Sequence, residues 1–204
     1  MHIKTIPVGQ LQTNCYVVTD PETKASVIID PGDESHLIQR YLEDFGLTPH
    51  AIFITHGHYD HTMATDDLVV TWGIPVYISQ ADTNTDSRPN PYRYAASGDT
   101  RFWTDGNEIQ VEGLTFRVIA TPGHSPGSVC IQAGDCLFTG DTLFRDDCGR
   151  TDLPGGNLST MMQSLARIDS LSGDLEVYPG NAEATSLNRE RRFNHYLRRA
   201  ASKK

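Results

Sequence analysis

In Thr55-His56-Gly57-His58-Tyr59-Asp60-His61, three imidazoles and one carboxylate fall within six consecutive positions. Three His and one Asp at fixed spacing arise by chance in such a chain on the order of once in ten thousand, so a His-rich surface turn is the weaker reading. Neutral imidazole ligates zinc, iron and other borderline ions, and an added carboxylate suits a harder centre. Two further candidate ligands sit in turns after apolar runs: His124 in Thr121-Pro122-Gly123-His124-Ser125-Pro126-Gly127-Ser128, and Asp141 in Thr139-Gly140-Asp141-Thr142-Leu143-Phe144. Alone, a His or Asp in such a turn more often bonds to its own backbone. Beside the first motif, both become ligands for a metal that lowers the pKa of water from 15.7 to roughly 7 and polarises a carbonyl.

Regular elements must deliver these donors. Ala51-Ile52-Phe53-Ile54 reads as a buried strand, whose C-terminal end opens at the sheet edge where α/β proteins hold ligands. Before it come strands over 3–6, 15–19 and 26–30, then a helix over 34–45 with Leu37, Ile38, Tyr41, Leu42 and Phe45 at helical spacing, ended by Gly46. Beyond the motif, 62–71 reads as helix, 75–78 as strand and 83–100, polar and rich in turn residues, as a loop or lid. Strands follow over 108–111, 114–120, 129–133 and 136–139, then a helix over 158–168, a strand over 175–178 and one closing helix over 187–199. Met161 and Met162 lie on an apolar helix face and read as core. Two strand-rich halves, each followed by helices, predict two sheets covered by helices on their outer faces.

The 204 residues suit one domain, 1–204. A net charge of -9 argues against nucleic acid as the partner, and no apolar run reaches membrane-spanning length. A basic tail from Arg189 to Lys204 is the exception; it reads as a solvated face or as a grip on an anionic substrate arm. Residues 1–7 alternate like a strand and lack a secretory pattern, so the expected location is cytoplasmic. Cys15, Cys130, Cys136 and Cys148 show no paired spacing and are expected to be reduced thiols.

With these residues in place, the sequence resembles the metallo-β-lactamase superfamily, and within it the small glyoxalase II-like hydrolases. The resemblance runs through Asn14-Cys15-Tyr16, Asp30-Pro31-Gly32, the His56–His61 motif, the His124 turn, the Asp141 turn, Gly149-Arg150-Thr151-Asp152-Leu153-Pro154-Gly155-Gly156 and Tyr178-Pro179-Gly180. It implies an αββα four-layer sandwich. It also implies a first metal on His56, His58 and His124, a second on Asp60 and His61, Asp141 bridging both, and Asp30 orienting a ligand. The family usually carries His after Tyr-Pro-Gly, where this chain has Asn181. An amide oxygen is a weak donor to a borderline cation, so the expectation is one or two ions per chain with a weakened second site. Zinc is the expected metal, with iron or manganese as alternatives.

The implied reaction is hydrolysis of an S-hydroxyacyl thioester, with Asp60 and Asp141 as catalytic carboxylates. If the second site is empty, Asp60 is free to orient or deprotonate water. Arg145, Arg150, Tyr92 and Arg93 are the candidate contacts to a small-molecule thioester, with Arg150 also read as a buried partner of Asp152 or Asp30. A mononuclear iron persulfide dioxygenase is the alternative, because Cys148-Gly149-Arg150-Thr151-Asp152 resembles a stretch of those enzymes and His56, His124 and Asp141 supply their ligand set. A further alternative is an impaired homologue or an engineered second-site variant. Monomer and homo-oligomer are both compatible with the sequence.

Overall fold

Along Thr13–Thr19 every residue is buried, and successive side chains enter different cores: Cys15 and Val17 join one cluster, Tyr16 and Val18 another. A strand sends alternate side chains to opposite faces, so a strand apolar on both must be covered on both. Ala25–Ile29 behaves in the same way, with Ile28 in the first cluster and Val27 and Ile29 in the second.

The structure is a computed structural model that describes residues 1–84, 90–96 and 98–202. One six-stranded sheet has the order His2–Val8, Thr13–Thr19, Ala25–Ile29, Thr48–Phe53, Val76–Ile78, Thr100–Phe102, antiparallel for its first three strands and parallel from the third onward. The other has the order Thr185–Ser186, Glu176–Pro179, Cys136–Gly140, Val129–Ala133, Leu114–Ala120, Glu108–Val111, with Cys136–Gly140 and Glu176–Pro179 parallel. The sheets face each other across a core in which the Phe53 ring meets Tyr77, Trp103 and Phe116 at centroid distances of 5.3, 5.4 and 5.0 Å. Helices α1 (Ser35–Asp44) and α2 (Thr65–Trp72) cover the outer face of the first sheet, burying Ile38, Leu42 and Leu68 there. Helices α3 (Leu158–Asp169), α4 (Leu187–Phe193) and α5 (His195–Ala201) cover the second, with Met161, Leu165, Leu187 and Leu197 in a third cluster. The result is the αββα sandwich. Parallel strands place their C-terminal ends at one edge, and the loops carrying the candidate ligands leave from there.

Three expectations need correction. The closing helix is broken at Asn194, whose Oδ1 accepts from the N–H groups of Tyr196 and Leu197 and starts α5 as a cap. The helix expected from 62 begins at Thr65, after a one-turn 3₁₀ segment over Tyr59–His61. The segment 83–100 is not all loop: Thr83–Asn84 pairs with Tyr94–Ala95, and Thr100–Phe102 is the edge strand of the first sheet. Residues 85–89 and 97 of that expected loop, and Lys203 and Lys204 of the basic tail, lie outside the described residues. Among the described residues no helix is long and apolar enough to cross a membrane.

Candidate metal centre

Asp30 ends its strand with φ 52°, a left-handed conformation that Asp tolerates better than most residues. That turn aims its carboxylate at the neighbouring strand end. Oδ1 accepts from Thr55 N–H at 2.7 Å, and Oδ2 accepts from the Thr55 hydroxyl at 2.7 Å and from His61 Nδ1 at 3.0 Å. The Thr55 hydrogen is spent on Asp30, so its oxygen accepts from His56 Nδ1 at 3.1 Å. His124 Nδ1 donates to the Arg150 carbonyl at 2.7 Å. For His56, His61 and His124 the acceptor at Nδ1 favours a proton there and turns Nε2 toward the cluster, as metal-bound imidazoles require.

Those nitrogens converge. Ring nitrogens of His56, His58 and His124 lie within 4.8 Å of one another, and a second group joins His56, His61 and an Asp141 oxygen. His58 Nδ1 and His124 Nε2 are 2.9 Å apart. His61 Nε2 lies 3.5 Å from Asp60 Oδ2 and 3.4 Å from Asp141 Oδ1, and the second Asp141 oxygen is 3.5 Å from His124 Nε2. The Thr13 hydroxyl donates to Asp60 Oδ2 at 3.2 Å. His56 Nε2, His61 Nε2 and Asp141 Oδ1 are buried with no hydrogen-bond partner, a costly arrangement unless something else satisfies them.

Electrostatics agree with that fit. Burial and then the neighbouring imidazoles push His56 well below its usual range, and the same causes lower His58 to about 4, so both rings are neutral at ordinary pH. Burial alone would lower His61, but Asp141 and Asp30 raise it above its usual range. Burial alone would raise Asp141, but His61 and His124 hold it below the carboxylate range. Neutral His56 and His58 beside the ionised Asp141 suit a divalent cation, and such an ion would take the place of the proton that the two carboxylates favour on His61.

The cluster opens on a cavity of about 390 Å³ whose walls include Leu11, Tyr59, Tyr92, Arg150, Leu153 and Asn181. Tyr92 stands edge-on to His58 at 5.5 Å. Arg150 pairs with Asp152 through two bonds at 2.7 and 2.8 Å, but this pair is exposed, contrary to the expected burial. Arg145 does not line the cavity and pairs with Glu183; Arg93 does not line it either, and its charge acts on Asp82. Asn181 sits at the rim, its amide donating to the Leu11 carbonyl at 3.3 Å and the Thr13 hydroxyl at 3.4 Å. The Asn14 amide fastens the turn before it, donating to the carbonyls of Pro179 and Ala182. Among the described residues, a larger groove of about 450 Å³ between α3 and α5 shares none with this cavity and has no His, Cys, Asp or Glu in its walls.

Sequence reasoning missed Asp82, a fully buried carboxylate beyond strand Val76–Ile78. Its only local signal is an isolated Asp after an apolar run.

A model of the metallo-beta-lactamase superfamily matches residues 8–181. The chain is 31% identical over 209 residues to hydroxyacylglutathione hydrolase GloC of Haemophilus influenzae, covering 97% of this chain and 98% of that protein. It is similar in structure to the BLEG-1 B3 metallo-beta-lactamase, with TM-score 0.86 and 35% identity over 96% of this chain and 99% of that one. It is also similar to TTHA1623 in a di-iron-bound form, with TM-score 0.80 and 34% identity over 95% and 99%.

Proposed function

The chain belongs to the metallo-beta-lactamase superfamily, and from that premise we propose that it hydrolyses S-hydroxyacyl thioesters of small thiols. One observation carries the metal-dependent part: His56 Nε2, His61 Nε2 and Asp141 Oδ1 are buried without a hydrogen-bond partner and gathered in one cluster. His56, His58 and His124 would hold a first ion, and Asp60, His61 and Asp141 a second that is weakened by the neutral amide of Asn181. A bound zinc, or iron or manganese, acidifies water and polarises the substrate carbonyl.

The chain's own groups do the rest. Where the second ion is absent, Asp60, steadied by the Thr13 hydroxyl and open to the cavity, is placed to take a proton from attacking water. A thiolate leaves unaided because a thiol pKa of about 8.5 lies far below that of an alcohol, so no dedicated acid is required. Tyr92 and Arg150 offer an aromatic face and a guanidinium to the thiol carrier. The likeness to GloC, itself a hydroxyacylglutathione hydrolase, supports this substrate class.

One feature favours a second reading, the iron persulfide dioxygenase. The Arg150 carbonyl holds His124, which builds the Cys148–Asp152 stretch into the metal centre. The test is metal analysis of protein purified without added ions, followed by assays with a hydroxyacyl-glutathione thioester, a β-lactam and, under iron loading, glutathione persulfide. Thioester turnover supports the proposal. Metal-loaded protein that leaves the thioester intact overturns it, and oxygen uptake with the persulfide establishes the second reading instead.

A further inference from the structure

His56 and His58 leave the first sheet and His124 leaves the second, so the geometry of the first ion depends on how two separate loops are held together. A backbone bond from Val129 N–H to the Thr55 carbonyl, 2.9 Å, joins their flanks. The other joint is a side chain. Asp82 Oδ2 accepts from Gly57 N–H at 3.0 Å and from the Ser125 hydroxyl at 2.5 Å, and Oδ1 accepts from Gly127 N–H at 2.7 Å. Gly57 lies between His56 and His58, and Ser125 directly follows His124.

We infer that Asp82 is a positioning residue of the metal centre: its carboxylate clamps the His56–His58 loop to the His124 loop and so sets the approach of His58 Nδ1 to His124 Nε2. The inference rests on the metal-centre reading above. Both loops close on the clamp. A Cβ at Gly57 would meet the Asp82 carbonyl oxygen at 2.3 Å, and one at Gly127 would lie 2.7 Å from Asp82 Cγ. A carboxylate is the right group because it accepts from three donors and donates to none, whereas an amide would turn an N–H toward an N–H. Burial raises the pKa of this acid, and the Ser125, Gly57 and Gly127 donors and then the Arg93 guanidinium oppose that rise, which gives Arg93 a task other than the substrate contact expected of it.

A residue that merely stabilised the fold would lower the unfolding midpoint without altering the ion's surroundings, so the test reads the folded site directly. Wild type and Asp82→Asn are stripped of metal, and zinc affinity is measured well below the unfolding midpoint by competition with a chromogenic chelator. The visible spectrum of each cobalt(II)-loaded protein then reports ligand geometry. The expected result is zinc affinity weaker by about 10- to 100-fold with a shifted cobalt spectrum. Wild-type affinity and an unchanged spectrum in folded Asp82→Asn overturn the inference. If that variant does not fold, Ser125→Ala removes a single donor; affinity weaker by about three- to tenfold supports the clamp, and no change overturns it. A wild-type chain that takes up neither ion overturns the metal reading and this inference with it.

Discussion

Three imidazoles of the centre have a protein acceptor on Nδ1: Asp30 for His61, Thr55 for His56, the Arg150 carbonyl for His124. Under the proposed function, Asn181 at the cavity rim stands where a stronger second-ion donor would serve. Replacing it with imidazole, Asn181→His, is expected to raise second-ion affinity by about 10- to 100-fold, bring metal content toward two per chain and raise thioesterase activity. Metal analysis with unchanged stoichiometry would count against this. At this scale much was legible. The types and spacing of His56, His58, Asp60, His61, His124 and Asp141 announce metal chemistry because donor identity is a property of the residue alone. Asp82 was not legible, because a lone Asp in a turn looks the same whether it caps its own backbone or clamps two distant loops.

Elements carry the next level of control. The closing helix was expected to run unbroken over 187–199. Asn194 interrupts it, capping α5 with Oδ1 while its amide donates to the carbonyls of Phe144 and Asp147 at 3.1 and 2.9 Å. Asn194→Ala removes a cap and three amide bonds, the third to Glu190, so urea unfolding should show a loss of about 2–3 kcal/mol with metal content unchanged; a loss within experimental error would show that the break is held by something else. The edge strand Thr100–Phe102 escaped pattern reading for a related reason. Three residues are too few to show a period, and pairing with Val76–Ile78 makes them a strand.

For the whole molecule, the centre joins the two sheets, so occupancy should be felt as global stability. With zinc at about 1,000 times its dissociation constant, linkage contributes about 4 kcal/mol. For a chain of this size that corresponds to a rise of roughly 8–16 °C in the unfolding midpoint. Thermal scans with zinc and with excess chelator check it, and coincident midpoints would mean that the ion does not bridge the halves. By itself the sequence determined the donor types, the alternation that requires two covered sheets, and the positions where loops interrupt it. All of these are written within a few residues of one another. Only the tertiary structure decided which nitrogens of His56, His61 and His124 face the cluster, that Arg145 pairs with Glu183 away from the cavity while Arg150 stays in its wall, and that Asp82 serves two loops. The physical reason is distance along the chain: Asp30 meets Thr55 across 25 residues, His58 meets His124 across 66 and Asn14 meets Pro179 across 165, and no local preference encodes a contact that exists only once the sheets have packed.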